Sequence, residues 1–193
     1  VTATAKKTAV ALIIDASYAS RYCAECGKAP EKPHKEECGF KDSADYNPNE
    51  ITYAQSFLKA EKDAAKAFID NYAGSVSGVG RYVQIVSYQG TAAAHGTWYD
   101  VSTAYGKTAA IAAIDDVVYY LTAETANKKN LQQGLKKAYD CFADNTVNKA
   151  DKYAIVMTNS WPNAYTDDGE IKCDNWLDLE TYGVADEMRD DYN

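Results

Sequence analysis

Histidine is nearly absent from this 193-residue sequence: only His34 and His95 occur. Neither is paired with a cysteine in a way that suggests a nucleophile and its base, so a catalytic thiol is not expected. Phosphate-binding and hydrolase signatures are missing too: there is no P-loop, no GxGxxG, no GxSxG and no HExxH. No apolar run approaches the roughly 18–20 residues a membrane span needs; the longest, Ala9–Ile14, has the length of a strand. Excess positive charge is lacking. The net charge is −8, which argues against nucleic acid as a partner. There is no starting Met and no signal peptide; a processed N-terminus and a cut fragment fit the opening Val1–Ala5 equally. No internal repeat is visible.

What remains is an ordinary globular composition, with 46% hydrophobic residues, enough for one α/β domain over 1–193. Lys7–Ala16 is a short apolar run, β-branched near its end and closing on Asp15, as in a buried parallel strand. Arg81–Gln89 and Ala94–Thr103 read as further strands, the latter at an edge, and Lys152–Thr158 as a fourth. Helical spacing places helices over Asn49–Tyr72, Lys107–Leu121, Asn130–Asp144 and Asp174–Asp191, with Asn49 as an N-cap. Alternating strands and helices predict a three-layer, doubly wound α/β fold, its sheet mainly parallel and covered by helices on both faces. Ligands of such sheets sit at the carboxyl ends of the strands. Here those ends carry Asp15-Ala16-Ser17 and Thr158-Asn159-Ser160.

Ser17–Pro48 has no periodicity and is rich in Lys, Glu, Pro, Gly and Cys; residues 21–48 read as an inserted loop. Three of the five cysteines are bunched there. Cys23-x-x-Cys26 followed by His34-x-x-x-Cys38 has zinc-like spacing. Disulfides drawn from Cys23, Cys26, Cys38 and Cys173 are the competing reading. Cys141, beside Ala138 and Phe142 in a helix, reads as a buried free thiol.

At the strand ends the sequence resembles the von Willebrand factor A family. That family's first strand ends in Asp-x-Ser-x-Ser, the start of a metal-ion-dependent adhesion site. Here Asp15-Ala16-Ser17-Tyr18-Ala19 keeps two ligands and has Ala for the third. A Thr-Asn pair opens a helix in the family; here it is Lys129-Asn130, followed by Leu131-Gln132-Gln133-Gly134-Leu135. Thr-Asp-Gly becomes Thr158-Asn159-Ser160. The resemblance implies the fold and a degenerate site at Asp15, Ser17, Ala19, Lys129 and Asn159. Mg²⁺ wants hard, partly anionic oxygen ligands, which Ala19 and Asn159 do not supply. An ammonium from Lys129 about 3 Å from Asp15 would replace the metal's charge and fill its volume. The alternative is that Lys129 simply points into solvent from a helix start.

The resemblance also implies an extracellular binding module of the bacterial adhesin or pilus kind, not an enzyme, without a cofactor. Its partner would be a protein or a glycan. A largely extracellular family favours disulfides over zinc in the insertion, and zinc would leave Cys173 unexplained. Tyr18, Tyr22, Trp161 and Tyr165 fall in loops at the expected binding face, where partner recognition and plain loop packing are both open. The family's sheet has six strands, whereas only four are visible here, so the last strands are expected to be missing. The fourth strand would then be an open edge, and Tyr153–Met157 carries no charge, proline or bulge to protect it. A strand from a sister subunit or from a missing C-terminal segment is the expected cover. A zinc-stapled intracellular interaction domain is the third reading.

Overall fold

The computed structural model describes residues 6–30, 32–42, 49, 51–74, 79–119, 128–159, 161–172 and 184–190. Its central sheet has four strands: β1 (Thr8–Asp15), β2 (Arg81–Tyr88), β3 (Ala92–Asp100) and β4 (Asp151–Met157). They lie in the order β3-β2-β1-β4. β1 runs parallel to β2 and to β4, while β3 is antiparallel to β2. β1 is thus an inner strand, with parallel neighbours on both sides, and its six residues from Ala9 to Ile14 are almost entirely buried. A strand covered on both faces has no polar side to alternate with, which is why its sequence is continuously apolar.

The two faces of β1 feed two cores. Val10, Leu12 and Ile14 pack with Leu58, Ala65 and Ile69 of α1 (Phe57–Gly74) and Ala110, Ala113 and Ile114 of α2 (Ala104–Asp115). Ala9, Ala11 and Ile13 face Leu135, Ala138 and Phe142 of α3 (Leu131–Phe142). A fourth helical stretch, 184–190, adds Val184 and Met188 to that second core. The protein is therefore the expected three-layer α/β fold with a mostly parallel sheet.

Element ends differ from the sequence expectation for local reasons. α1 begins at Phe57 rather than Asn49. Ser56 Oγ accepts the Lys59 N–H at 3.2 Å and takes the N-cap role, and Tyr53–Gln55 forms a 3-10 turn before it. β3 ends at Asp100 because Thr103 is needed as the N-cap of α2, where its side chain accepts from the Gly106 N–H. α2 stops at Asp115 rather than Leu121. The ammonium of Lys62 donates to the carbonyls of Asp115 and Val117 at 2.8 and 2.7 Å and satisfies the helix end. Of the last expected helix, 173–183 and 191 lie outside the described residues.

A two-stranded ribbon, β5 (Tyr165–Asp167) with β6 (Glu170–Lys172), was not expected. Its turn, Asp168-Gly169, has both residues at positive φ, 48° and 81°. That is the backbone a two-residue hairpin needs, and Asp-Gly is a preferred sequence for it. The ribbon is tied to the start of α3 by Thr166 N–H donating to Gln132 Oε1 at 2.8 Å.

Candidate functional site

β1 and β4 end side by side, since Ile14 is paired with Met157. Asp15 and Thr158 therefore leave the sheet together, beside the N-terminus of α3. Gly134 lets that helix approach closely: a Cβ there would meet Ile13 Cγ2 at 3.0 Å and Tyr88 Cγ at 3.1 Å. Asn130 caps α3 by accepting the Gln133 N–H, and its own N–H donates to the Gln89 carbonyl at 2.8 Å. These contacts bring the preceding residue, Lys129, over the strand ends.

Lys129 does not point into solvent. Its Nζ lies 2.5 Å from Asp15 Oδ2, with side-chain exposures of 3% and 0%. The ammonium also donates to Asn159 Oδ1 and, at 3.4 Å, to Thr158 Oγ1. Asn159 in turn donates from Nδ2 to the Ala19 carbonyl at 2.8 Å. A carboxamide serves both neighbours, because one end accepts and the other donates. The third adhesion-site position thus contributes its backbone oxygen in place of a side chain. Asp15 Oδ1 accepts the Ser17 N–H at 2.9 Å. Ser17 Oγ is buried without a hydrogen-bond partner.

A second acid completes the site. Glu61, on α1, accepts the Asp15 N–H through Oε2 at 3.2 Å. Burial raises its pKa to about 9 and the charge of Asp15 adds to the rise, opposed by Lys129. Burial thus favours the neutral form of Glu61, and the ion pair at the site is that of Lys129 with Asp15. Glu61 was not expected at the site, although a charged residue within the buried stripe Leu58, Glu61, Ala65 is a signal visible in the sequence. Asn163 was also missed. Its Oδ1 accepts the Lys129 N–H at 2.6 Å, and the Asn163 and Ala164 N–H groups donate back to the Lys129 carbonyl.

This donor set does not fit a divalent cation held in the adhesion-site manner. Asp15 Oδ2 is engaged by an ammonium, Ala19 has no side-chain oxygen, and Asn159 brings no charge.

Of the aromatic residues expected at this face, Trp161 is 80% exposed and sits between Asn159 and Asn163, both of which are anchored. Tyr18 and Tyr22 are half-buried and pack edge to face, with the Arg21 guanidinium over the Tyr18 ring. Tyr165 is half-buried on β5. Ser160, Tyr46 and Cys173 lie outside the described residues.

In the insertion, Cys23, Cys26 and Cys38 are free thiols. Cys23 and Cys38 Sγ are 3.7 Å apart, against the roughly 2.05 Å of a disulfide. His34 Nδ1 lies 3.1 Å from Cys38 Sγ and 3.6 Å from Cys26 Sγ. Burial pushes the Cys23 thiol up to about 11. At Cys26 burial acts the same way, but hydrogen bonding with the Lys35 and Lys28 backbone and with the Cys23 and His34 side chains brings it down to about 6. Cys141 is free and half-buried on α3.

No protein-family model matches the sequence, and no curated protein is significantly similar to it. Solved structures do match by fold. The PilB minor pilin from Streptococcus sanguinis aligns with a TM-score of 0.59 at 15% identity, over 90% of this chain and 38% of that one. The von Willebrand factor domain of the type V pili tip protein Mfa5 from Porphyromonas gingivalis aligns with a TM-score of 0.53 at 16% identity, over 84% and 41%. The pilus adhesin SpaC from Lactobacillus rhamnosus GG gives 0.53 at 14% identity, over 97% and 24%. The fold is that of a von Willebrand factor A-type domain. The chain spans less than half the length of each of these proteins. Among the described residues, no helix is long and apolar enough to cross a membrane.

Proposed function

We propose that this chain is a binding module of a bacterial surface or pilus assembly that engages its partner without a divalent ion. The observation that carries the reading is the ion pair between Lys129 and Asp15, buried at the strand ends where the family's metal belongs. In a metal-dependent site the ion itself would take part in capturing an anionic ligand group. Here the charge is already satisfied within the chain, so affinity has to come from the surface around it. Trp161 supplies such a surface: a large exposed ring on a short loop held at both flanks is a ready anchor for a protein or glycan. The likeness to pilus tip, minor pilin and adhesin structures supports an extracellular, non-enzymatic role.

The test is binding of the purified chain to arrays of matrix proteins and glycans, with and without added Mg²⁺ or Mn²⁺. Binding that is insensitive to the ions and abolished by Trp161→Ala is the expected result. Binding that appears only with an added ion overturns the proposal. Thermal unfolding gives a second measure: added Mg²⁺ leaves the native chain unchanged, while Lys129→Thr combined with Asn159→Asp gains Mg²⁺-dependent stabilisation.

A structural subunit is the second reading, and β4 favours it. Among the described residues this strand pairs only with β1, and Tyr153 on it is 54% exposed. The side of β4 away from β1 could accept a strand from a sister subunit or from further chain. Concentration-dependent self-association lost on Ile155→Pro would support that reading over ligand capture.

A further inference from the structure

The insertion holds a second site that the adhesion reading does not use. Cys23, Cys26, His34 and Cys38 each offer one ligand atom, and all four atoms lie within 4.8 Å of one another. We propose that these residues bind a structural Zn²⁺ in a tetrahedral Cys₃His site that staples the insertion to the start of α1.

Two of the spacings match that geometry, and the third, 3.1 Å between His34 Nδ1 and Cys38 Sγ, is shorter. Zn–S bonds of about 2.3 Å at tetrahedral angles put two sulfurs about 3.8 Å apart, and sulfur and nitrogen slightly closer. Cys23 and Cys38 Sγ are 3.7 Å apart, and Cys26 Sγ is 3.6 Å from His34 Nδ1. A disulfide would use two of the sulfurs and leave the third facing an imidazole for no reason. Three thiolates and an imidazole favour zinc over Mg²⁺ or Ca²⁺, which prefer oxygen.

The surroundings are arranged for ligation. His34 Nε2 lies 3.2 Å from Gln55 Oε1, which also accepts from the N–H and hydroxyl of Thr52. That oxygen can only accept, so Nε2 carries the proton and the Nδ1 lone pair turns toward the thiols. A fixed partner on the far ring nitrogen is the usual support of a metal-bound histidine. On the other side, the Cys26 N–H points at Cys23 Sγ at 3.5 Å. Gly27, at φ +66°, closes the turn by donating to the Cys23 carbonyl at 2.9 Å. Among the described residues, Ile51 and Phe40 supply the apolar packing of this cluster beyond the cysteines themselves. A bound metal would add folding free energy to so small an apolar cluster.

The staple reaches two places. Ala24 N–H donates to Gln55 O at 2.8 Å and Phe57 N–H to Tyr22 O at 2.9 Å, so the site is joined to the entry of α1. Ala19, whose carbonyl anchors Asn159, lies four residues before Cys23. The inference stands on the four side chains and Gln55, independently of the adhesion reading.

The full chain is purified without chelator, and its metal content and native mass are measured. One zinc per chain is expected, with Cys23, Cys26 and Cys38 protected from alkylation until a strong chelator is added. The reduced, metal-free chain is then titrated with Co²⁺. It should show the d–d bands of a tetrahedral site and thiolate charge-transfer absorption, saturating at one equivalent. Zinc should displace the cobalt with a Kd of roughly 10⁻⁸ M or tighter. Cys26→Ser, which keeps an oxygen at that position, should weaken the charge-transfer band and loosen zinc at least tenfold. Gln55→Leu, which touches no metal, should also weaken zinc while retaining the tetrahedral spectrum. A Cys23–Cys38 disulfide in the purified chain, or a reduced chain that gives no tetrahedral cobalt spectrum at one equivalent, overturns the proposal.

Discussion

Glu61 Oε2 accepts the backbone N–H of Asp15 at 3.2 Å, placing two buried acids side by side at the end of β1. Burial, reinforced by the charge on Asp15, lifts Glu61 from 4.5 in its ordinary setting to about 9. The folded chain therefore holds this proton more tightly than the unfolded one. The resulting stability is complete below about pH 4.5 and is lost as pH rises through about 9. Glu61→Gln keeps the shape and the acceptor and removes the titration. We expect the native chain to lose stability between pH 5 and 9 relative to this variant, by on the order of a few kcal/mol at the alkaline end. Urea unfolding of both proteins across that range measures it; a difference that does not change with pH contradicts a protonated Glu61.

Removing the ammonium leaves Asp15 charged and enclosed. Lys129→Met is expected to cost about 3–5 kcal/mol, because an unpaired buried charge is worse than either a pair or none. Asp15→Asn added to Lys129→Met should recover much of that loss. The measurement is a double-mutant cycle by chemical denaturation, and strictly additive costs would show that the two groups do not interact in the folded state.

Asn159 bridges Lys129 and the Ala19 carbonyl by using both ends of its amide. Asn159→Asp keeps the acceptor for Lys129 but sets an oxygen against the Ala19 carbonyl. A loss of about 1–2 kcal/mol follows from that unmade hydrogen bond. Faster amide hydrogen exchange around the 3-10 turn Tyr18–Arg21 should accompany it. Unchanged exchange there would mean that the bridge does not hold the turn.

Gly134 sits where α3 crosses the sheet. Gly134→Ala raises helix propensity by about 1 kcal/mol but drives a methyl against Ile13 and the ring root of Tyr88, both fixed on strands. Overpacking of about 1–3 kcal/mol wins, so the variant should be less stable. A Tm above that of the native chain would show that the helix can shift outward without loss.

The apolar run of β1 and the three-and-four spacing of the helices were enough to establish the layers. Burial on both faces of a strand, or one face of a helix, leaves a periodic trace in the sequence. The strand-end residues Asp15, Lys129 and Asn159 were likewise legible, because connections in such a sheet bring its C-terminal ends together. Several features needed the fold. Whether Lys129 turned inward or outward depended on how closely α3 could approach, which Gly134 and its strand neighbours determine. The start of α1 at Phe57 depended on which polar side chain reached the first free N–H groups, and Ser56 did. Glu61 took no part in the sequence reading, and its place at the site came from the helix setting it against the Asp15 N–H. In the insertion, spacing alone allowed either cross-links or a metal. Only folding brought His34 to the sulfurs, with Gln55 behind it, because those contacts join residues with no periodic relation in the chain.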